Sequence, residues 1–167
     1  VIDAQGEVKN LSLINVDINA DSYIGSIVGI NYGLIQNCSS NGIIKGKNTN
    51  IGGVVGANRG SIKNVYSSGT FKGNDEVGGV AGSNTGVIQN ALNTGSVKGS
   101  VRYLGCIVGD GNYQGSISNS YYDKQMCILG GVEGSDILNS AEGKLTSEIT
   151  SGLFFSNNTD WSEESAR

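Results

Sequence analysis

Ile51-Gly52-Gly53-Val54-Val55-Gly56-Ala57-Asn58-Arg59-Gly60-Ser61-Ile62-Lys63-Asn64 sets glycines, β-branched residues and two asparagines in an order that the rest of the chain repeats. One copy precedes it, Ile24-Gly25-Ser26-Ile27-Val28-Gly29-Ile30-Asn31-Tyr32-Gly33-Leu34-Ile35-Gln36-Asn37. Another follows, Val77-Gly78-Gly79-Val80-Ala81-Gly82-Ser83-Asn84-Thr85-Gly86-Val87-Ile88-Gln89-Asn90, and a fourth runs from Leu104 to Asn119 with two extra residues in its turn. Anchored on the glycine that opens the second strand, the units begin near Gly6, Gly33, Gly60, Gly86 and Gly115, at spacings of 27, 27, 26 and 29 residues. A fixed period of this size marks a stacked array in which each unit buries its apolar face against its neighbours.

Each unit divides into three short strand-like pieces: the Gly-Gly-Val-Val-Gly piece, Ser61 to Tyr66, and Gly69 to Gly73, the last matched by Gly42 to Gly46 and Gly95 to Gly99. Three strands per unit make one rung of a parallel β-helix, every strand pairing with its counterpart one coil away at about 4.8 Å. The expected fold is all-β: a right-handed parallel β-helix, or solenoid, of about five coils of ~27 residues over residues 1–125, with a short helical or irregular cap over residues 126–167. Leucine-rich repeats fit worse, because they need several Leu per unit and the chain has nine in all.

Alternation assigns the inward columns: Val8, Ile35, Ile62, Ile88 and Ile117; Ile24, Ile51, Val77 and Leu104; Ile44, Phe71 and Val97. Adjacent Val54 and Val55 cannot both face inward from one regular strand, so one of them belongs at a bend or under an outside cover. Gly56-x-Asn58-x-Gly60 and its copies place at a corner residues that tolerate positive φ. Asn10, Asn37, Asn64, Asn90 and Asn119 recur once per rung and are expected to form a structural ladder of side-chain amides along the axis. The first repeat has a shifted middle, as befits an end coil that covers an open core and edge.

The net charge is −4 and the pI about 4.7, so a nucleic-acid partner, which needs clustered Lys and Arg, is excluded. Apolar runs are far too short to span a bilayer, so no membrane insertion is expected. The chain opens at Val1 and shows no signal peptide, and reads as a monomeric fragment of a longer protein. Cys38, Cys106 and Cys127 make an odd count without metal-ligand spacing; Cys38 and Cys106 sit in columns of small residues and read as buried filler, with a reactive thiol or a Cys106–Cys127 bridge as the alternative.

The Gly-Gly-hydrophobic-Gly run followed by Asn, Gly, a β-branched residue and Asn resembles the GLUG repeat. Gly53-Val54-Val55-Gly56 and Gly79-Val80-Ala81-Gly82 match it, while Ser26-Ile27-Val28-Gly29 and Cys106-Ile107-Val108-Gly109 depart by one small-residue exchange each. The resemblance covers about residues 6 to 125. It implies a large secreted or cell-surface bacterial protein, of the kind that includes immunoglobulin A peptidases and adhesin-like proteins. Beyond Tyr121-Tyr122-Asp123-Lys124 the periodicity fades. Thr146 or Ser147 could cap a short helix whose Ile149, Leu153 and Phe154 share a face, and this stretch, with Phe155 and Trp161, reads as a lid over the last rung.

With no His, imidazole-based catalysis and imidazole metal ligation are absent, and neither a catalytic residue, a metal site nor a cofactor is assigned. Asp21, Asp75, Glu76, Asp110 and Asp123 fall at non-equivalent turn positions and read as solvated. Two outward columns carry binding expectations. Lys45, Lys72 and Lys98 form an anion-attracting stripe or a solubilising face; Tyr66, Leu92 and Tyr121 form an exposed aromatic patch or a surface for lateral packing beneath a loop or the lid. The expected role is non-catalytic, with no enzyme activity: an extracellular, bacterial cell-surface module acting as a rigid stalk or an adhesin-type binder of host protein or glycan. An accessory domain of a secreted peptidase is the alternative, and a carbohydrate-active β-helix enzyme the third reading.

Overall fold

The computed structural model describes residues 1–110, 115–133 and 140–151. They form a parallel β-solenoid of about four turns. In chain order the strands are β1 (Glu7–Lys9), β2 (Ser12–Ala20), β3 (Val28–Asn31), β4 (Leu34–Gly46), β5 (Ile51–Gly52), β6 (Val55–Asn58), β7 (Ser61–Lys72), β8 (Val77–Gly78), β9 (Ala81–Asn84), β10 (Val87–Asn93), β11 (Ser96–Lys98), β12 (Leu104–Gly105), β13 (Val108–Asp110), β14 (Ser116–Ser118), β15 (Ser120–Asp123) and β16 (Ala141–Lys144), followed by a single helical turn, α1 (Thr146–Ile149). All strand pairs among the described residues are parallel, each strand lying on its copy from the neighbouring turn.

Three sheets wall the core. A small one runs β12-β8-β5 and is extended by the Ile24–Ile51 bridge; a second runs β13-β9-β6-β3 and is extended by bridges at Ile2 and Val132; the largest runs β1-β4-β7-β10-β15-β16 and carries β2, β11 and β14 beside that path. The complete turns start at Ile24, Ile51, Val77 and Leu104. A part-turn from residues 1 to 20 lies at one end, and another, made of Val132 and β16, at the other. This phase accounts for a count of about four where five anchoring glycines suggest five: the first glycine belongs to the leading part-turn.

The strands are divided differently from the sequence expectation. The Gly-Gly-Val-Val-Gly piece is two strands on two sheets, β5 and β6, with Gly53 and Val54 at the bend. Val54 and Val55 are both fully buried for that reason, one at the corner and one on the strand after it. The second and third pieces are instead one continuous strand, β7. Gly69, at φ 122, bends it without interrupting its pairing to β4, an option closed to residues with a Cβ.

The inward columns are as expected. Ile35, Ile62 and Ile88 are wholly inaccessible, as are Ile51 and Val77, and Phe71 is the largest fully buried side chain, stacked between Ile44 and Val97. Val8 and Ile117, at the two ends of their column, are half-buried. The shifted middle of the first repeat is a bulge in which Leu13 pairs with Ser40 but Val16 with Gly42, leaving Ile14 exposed.

Candidate functional site

Two amide ladders run along the stack, one bonded from Asn10 to Asn90 and the other from Asn31 to Asn84. The expected one is present: Asn37 Nδ2 donates to Asn10 Oδ1 at 3.2 Å, Asn64 to Asn37 at 3.0 Å and Asn90 to Asn64 at 2.9 Å. These residues and Asn119 hold φ between 46° and 57°, so this column, one residue type tolerant of left-handed backbone, is where the chain turns.

The second ladder corrects the reading of Gly56-x-Asn58-x-Gly60. Asn31, Asn58 and Asn84 end β3, β6 and β9 and are not in the positive-φ region. They are buried, and their amides form a chain in the core, Asn31 Nδ2 to Asn58 Oδ1 and Asn58 Nδ2 to Asn84 Oδ1, both 2.8 Å. The backbone N–H groups of Gly33 and Gly86 donate to Asn31 Oδ1 and Asn84 Oδ1 at 3.1 and 3.2 Å, closing the corner through the side chain. Their spacings of 27 and 26 residues are those of the first ladder, so the periodicity carried the signal.

Tyr66, Leu92 and Tyr121 do share one outward column: Leu92 lies between the two tyrosines in register. The patch is not open, however. Ile149 of α1 closes over it, leaving Leu92 2% and Ile149 5% accessible, with both tyrosines partly buried against them. Burial pushes the Tyr121 phenol above its ordinary range, and the Lys144 ammonium, held 3.0 Å from Glu142, sits 5.4 Å from the Tyr121 ring centre. Tyr66 meets Thr94 through its hydroxyl at 2.7 Å, and it lines a shallow groove with Ser12, Ile14, Ser39 and Asn41. Neither Thr146 nor Ser147 caps α1; Leu145 is the N-cap, and its N–H donates to Glu148 Oε2 at 2.6 Å. Leu153, Phe154, Phe155 and Trp161 lie outside the described residues, as do Gly111, Asn112, Tyr113 and Gln114 of the fourth copy.

Asp21 is exposed, as expected, but Asp75, Glu76 and Asp110 are half-buried and Asp123 is buried. Asp123 is 2% accessible and anchors the last turn, accepting from Gln125 N–H at 2.9 Å and Thr146 Oγ1 at 2.6 Å. The Glu76 carboxylate accepts from Thr49 Oγ1 and Asn50 Nδ2, while Asp75 pairs with the exposed Arg102 at 3.8 Å. Glu133 faces Asp110. Burial first, then the hydrogen bond and repulsion from the Asp110 carboxyl, raises the Glu133 pKa. A carboxyl raised in the folded state binds its proton more tightly there, so its contribution to stability is full below the ordinary carboxylate range and is lost as pH rises through the folded value. Glu133→Gln is therefore expected to flatten the gain in melting temperature on acidifying from neutrality into the ordinary carboxylate range, and to be no less stable than the parent at neutrality; thermal melts at the two ends of that range test it.

Cys106 is not mere filler. It is bridged to Cys127, with Cα atoms 5.9 Å apart and a sequence separation of 21, while Cys38 stays a buried free thiol whose pKa burial raises. An odd count argues against a disulfide only if every cysteine must pair. The bridge ties the last turn to the segment that follows Asp123. Closing a loop of this length confines the unfolded chain by about 3 kcal/mol, so Cys127→Ser is expected to lose about that much in urea melts. Thiol titration of the parent should find one thiol, reactive only after unfolding.

The stripe of Lys45, Lys72 and Lys98 is in register and exposed on the outward face of β4, β7 and β11. No helix among the described residues is long and apolar enough to cross a membrane. Comparison with curated proteins and with solved structures finds no match to either. Residues 47–72, which run through β5, β6 and β7, do match a family model, that of the GLUG motif, and with their copies they make this chain a GLUG-repeat region.

Proposed function

We propose that this β-solenoid is a non-catalytic module of an extracellular bacterial surface or secreted protein, presenting its side faces to a host protein or glycan while holding its neighbours in a rigid frame. The observation that carries the reading is the stack itself. Equivalent residues of successive turns stand in register on parallel sheets, so any side chain kept at one repeat position becomes a linear array, a geometry suited to extended or repetitive partners. The Cys106–Cys127 disulfide supports an oxidising compartment. The non-catalytic reading is supported by the engagement of Asp75, Glu76 and Asp123 in structural bonds.

The test is binding of the purified chain to a glycan array and a panel of secreted host proteins, with Tyr32→Ala, at the exposed corner between β3 and β4, and Tyr66→Ala, on the outward side of β7, as variants. Binding lost in one variant and kept in the other maps the face. Silence from a folded chain removes recognition and leaves the frame.

A further inference from the structure

The lysine stripe is an arrangement that folding does not require. Lys45 stands beside Lys72 and Lys72 beside Lys98, one strand spacing of about 4.8 Å apart, and like charges directly opposite on adjacent strands oppose pairing. Lys47 adds a fourth ammonium: with Lys45 and Lys72 it lines a groove shared with Gly46, Gly73, Asn74 and Ser100, and Lys98 continues the stripe beyond it. The nearby acids are engaged or offset: Asp75 with Arg102, Asp21 as acceptor from Asn48 Nδ2, and Asp17 on the neighbouring strand, two positions back from the partner of Lys45. None of the stripe lysines is in an ion pair among the described residues. All this positive charge stands on a chain of net charge −4.

We infer that the stripe binds a linear polysaccharide bearing an acidic group on each sugar, laid along the solenoid axis; the inference rests on the side-face reading proposed above and names its ligand. One sugar advances such a chain by close to one strand spacing, so its acidic groups recur on the scale of the lysine spacing as the chain runs along the axis. Asn74 and Ser100, both exposed in this groove, offer hydrogen bonds to the sugar hydroxyls. Nucleic acid fits less well. Its phosphates recur about every 3.4 Å along a strand, and single strands need aromatic platforms, of which this groove has none.

The experiment measures binding of the whole chain to polygalacturonate, with a carboxylate on every sugar, and to dextran sulfate, with neutral dextran and a single-stranded DNA as comparisons. Expected is binding to an acidic polysaccharide that weakens with added salt, falls about threefold for each of Lys45→Gln, Lys72→Gln and Lys98→Gln and about thirtyfold for the triple variant, and is unmoved by Lys63→Gln. Lys45, Lys72 and Lys98 are exposed, so the stripe variants should melt with the parent. Undiminished binding by the triple variant, equal affinity for DNA, or no binding to either acidic polymer overturns the assignment. If the last result comes with a positive array elsewhere, the stripe alone is wrong; if the array is silent too, recognition by the side faces falls with it.

Discussion

Asn58→Leu is expected to lose about 4 kcal/mol in urea unfolding, because it removes the middle link of the buried amide chain while keeping the branching of the side chain. Asn31 Nδ2 and Asn84 Oδ1 each lose a 2.8 Å partner in a site that water does not reach, and the Gly60 and Val87 carbonyls lose contacts at 3.3 Å. Leucine supplies none of these. The informative contrast is Asn64→Gly in the outer ladder. Glycine adopts φ 52° freely, and the two amide bonds lost lie nearer solvent, so about 1 kcal/mol is expected. Equal losses at the two positions would mean that burial does not distinguish the ladders.

Gly52→Ala is expected to destabilise by at least about 3 kcal/mol, or to prevent folding. A Cβ there would collide with the Val55 carbonyl oxygen of its own turn and with the Val80 carbonyl and Ala81 Cα of the next, all of them backbone. Backbone in a ladder cannot step aside without breaking the pairing of β5 with β8. Gly73→Ala provides the comparison: its Cβ would meet the side-chain ends of Val77 and Ile51, which can move, and a loss of about 1 kcal/mol is expected. Circular dichroism melts of the two variants separate these outcomes.

The architecture was legible because stacking forces self-similarity. Ile35, Ile62 and Ile88 must superpose, so their spacing declared both the period and the inward face before any strand was assigned. The corners were harder. Asn58 and Asn64 are the same residue type at the same period six positions apart, yet one closes a corner through its side chain in the core and the other through a left-handed backbone near the surface. Residue type alone does not separate those two uses; only the position of each relative to the end of β6 or the interior of β7 does. Leu92 shows a different limit. Its outward direction follows from alternation, but its burial depends on Ile149, nearly sixty residues away in sequence and outside the repeat. The Cys106–Cys127 bridge likewise joins a repeat position to a non-repeat one, where periodicity carries no information.

Each turn of 26 or 27 residues advances the solenoid by only about 4.8 Å, whereas the same residues fully extended would span on the order of 90 Å. About four turns therefore give a height near 20 Å. Measured by reach, that is a poor return on chain length: a short extended linker would separate two neighbours farther. What the winding yields is lateral area and constancy of pitch, a surface graduated in equal steps. A molecule with this aspect ratio is better suited to measuring along a partner than to holding one at a distance.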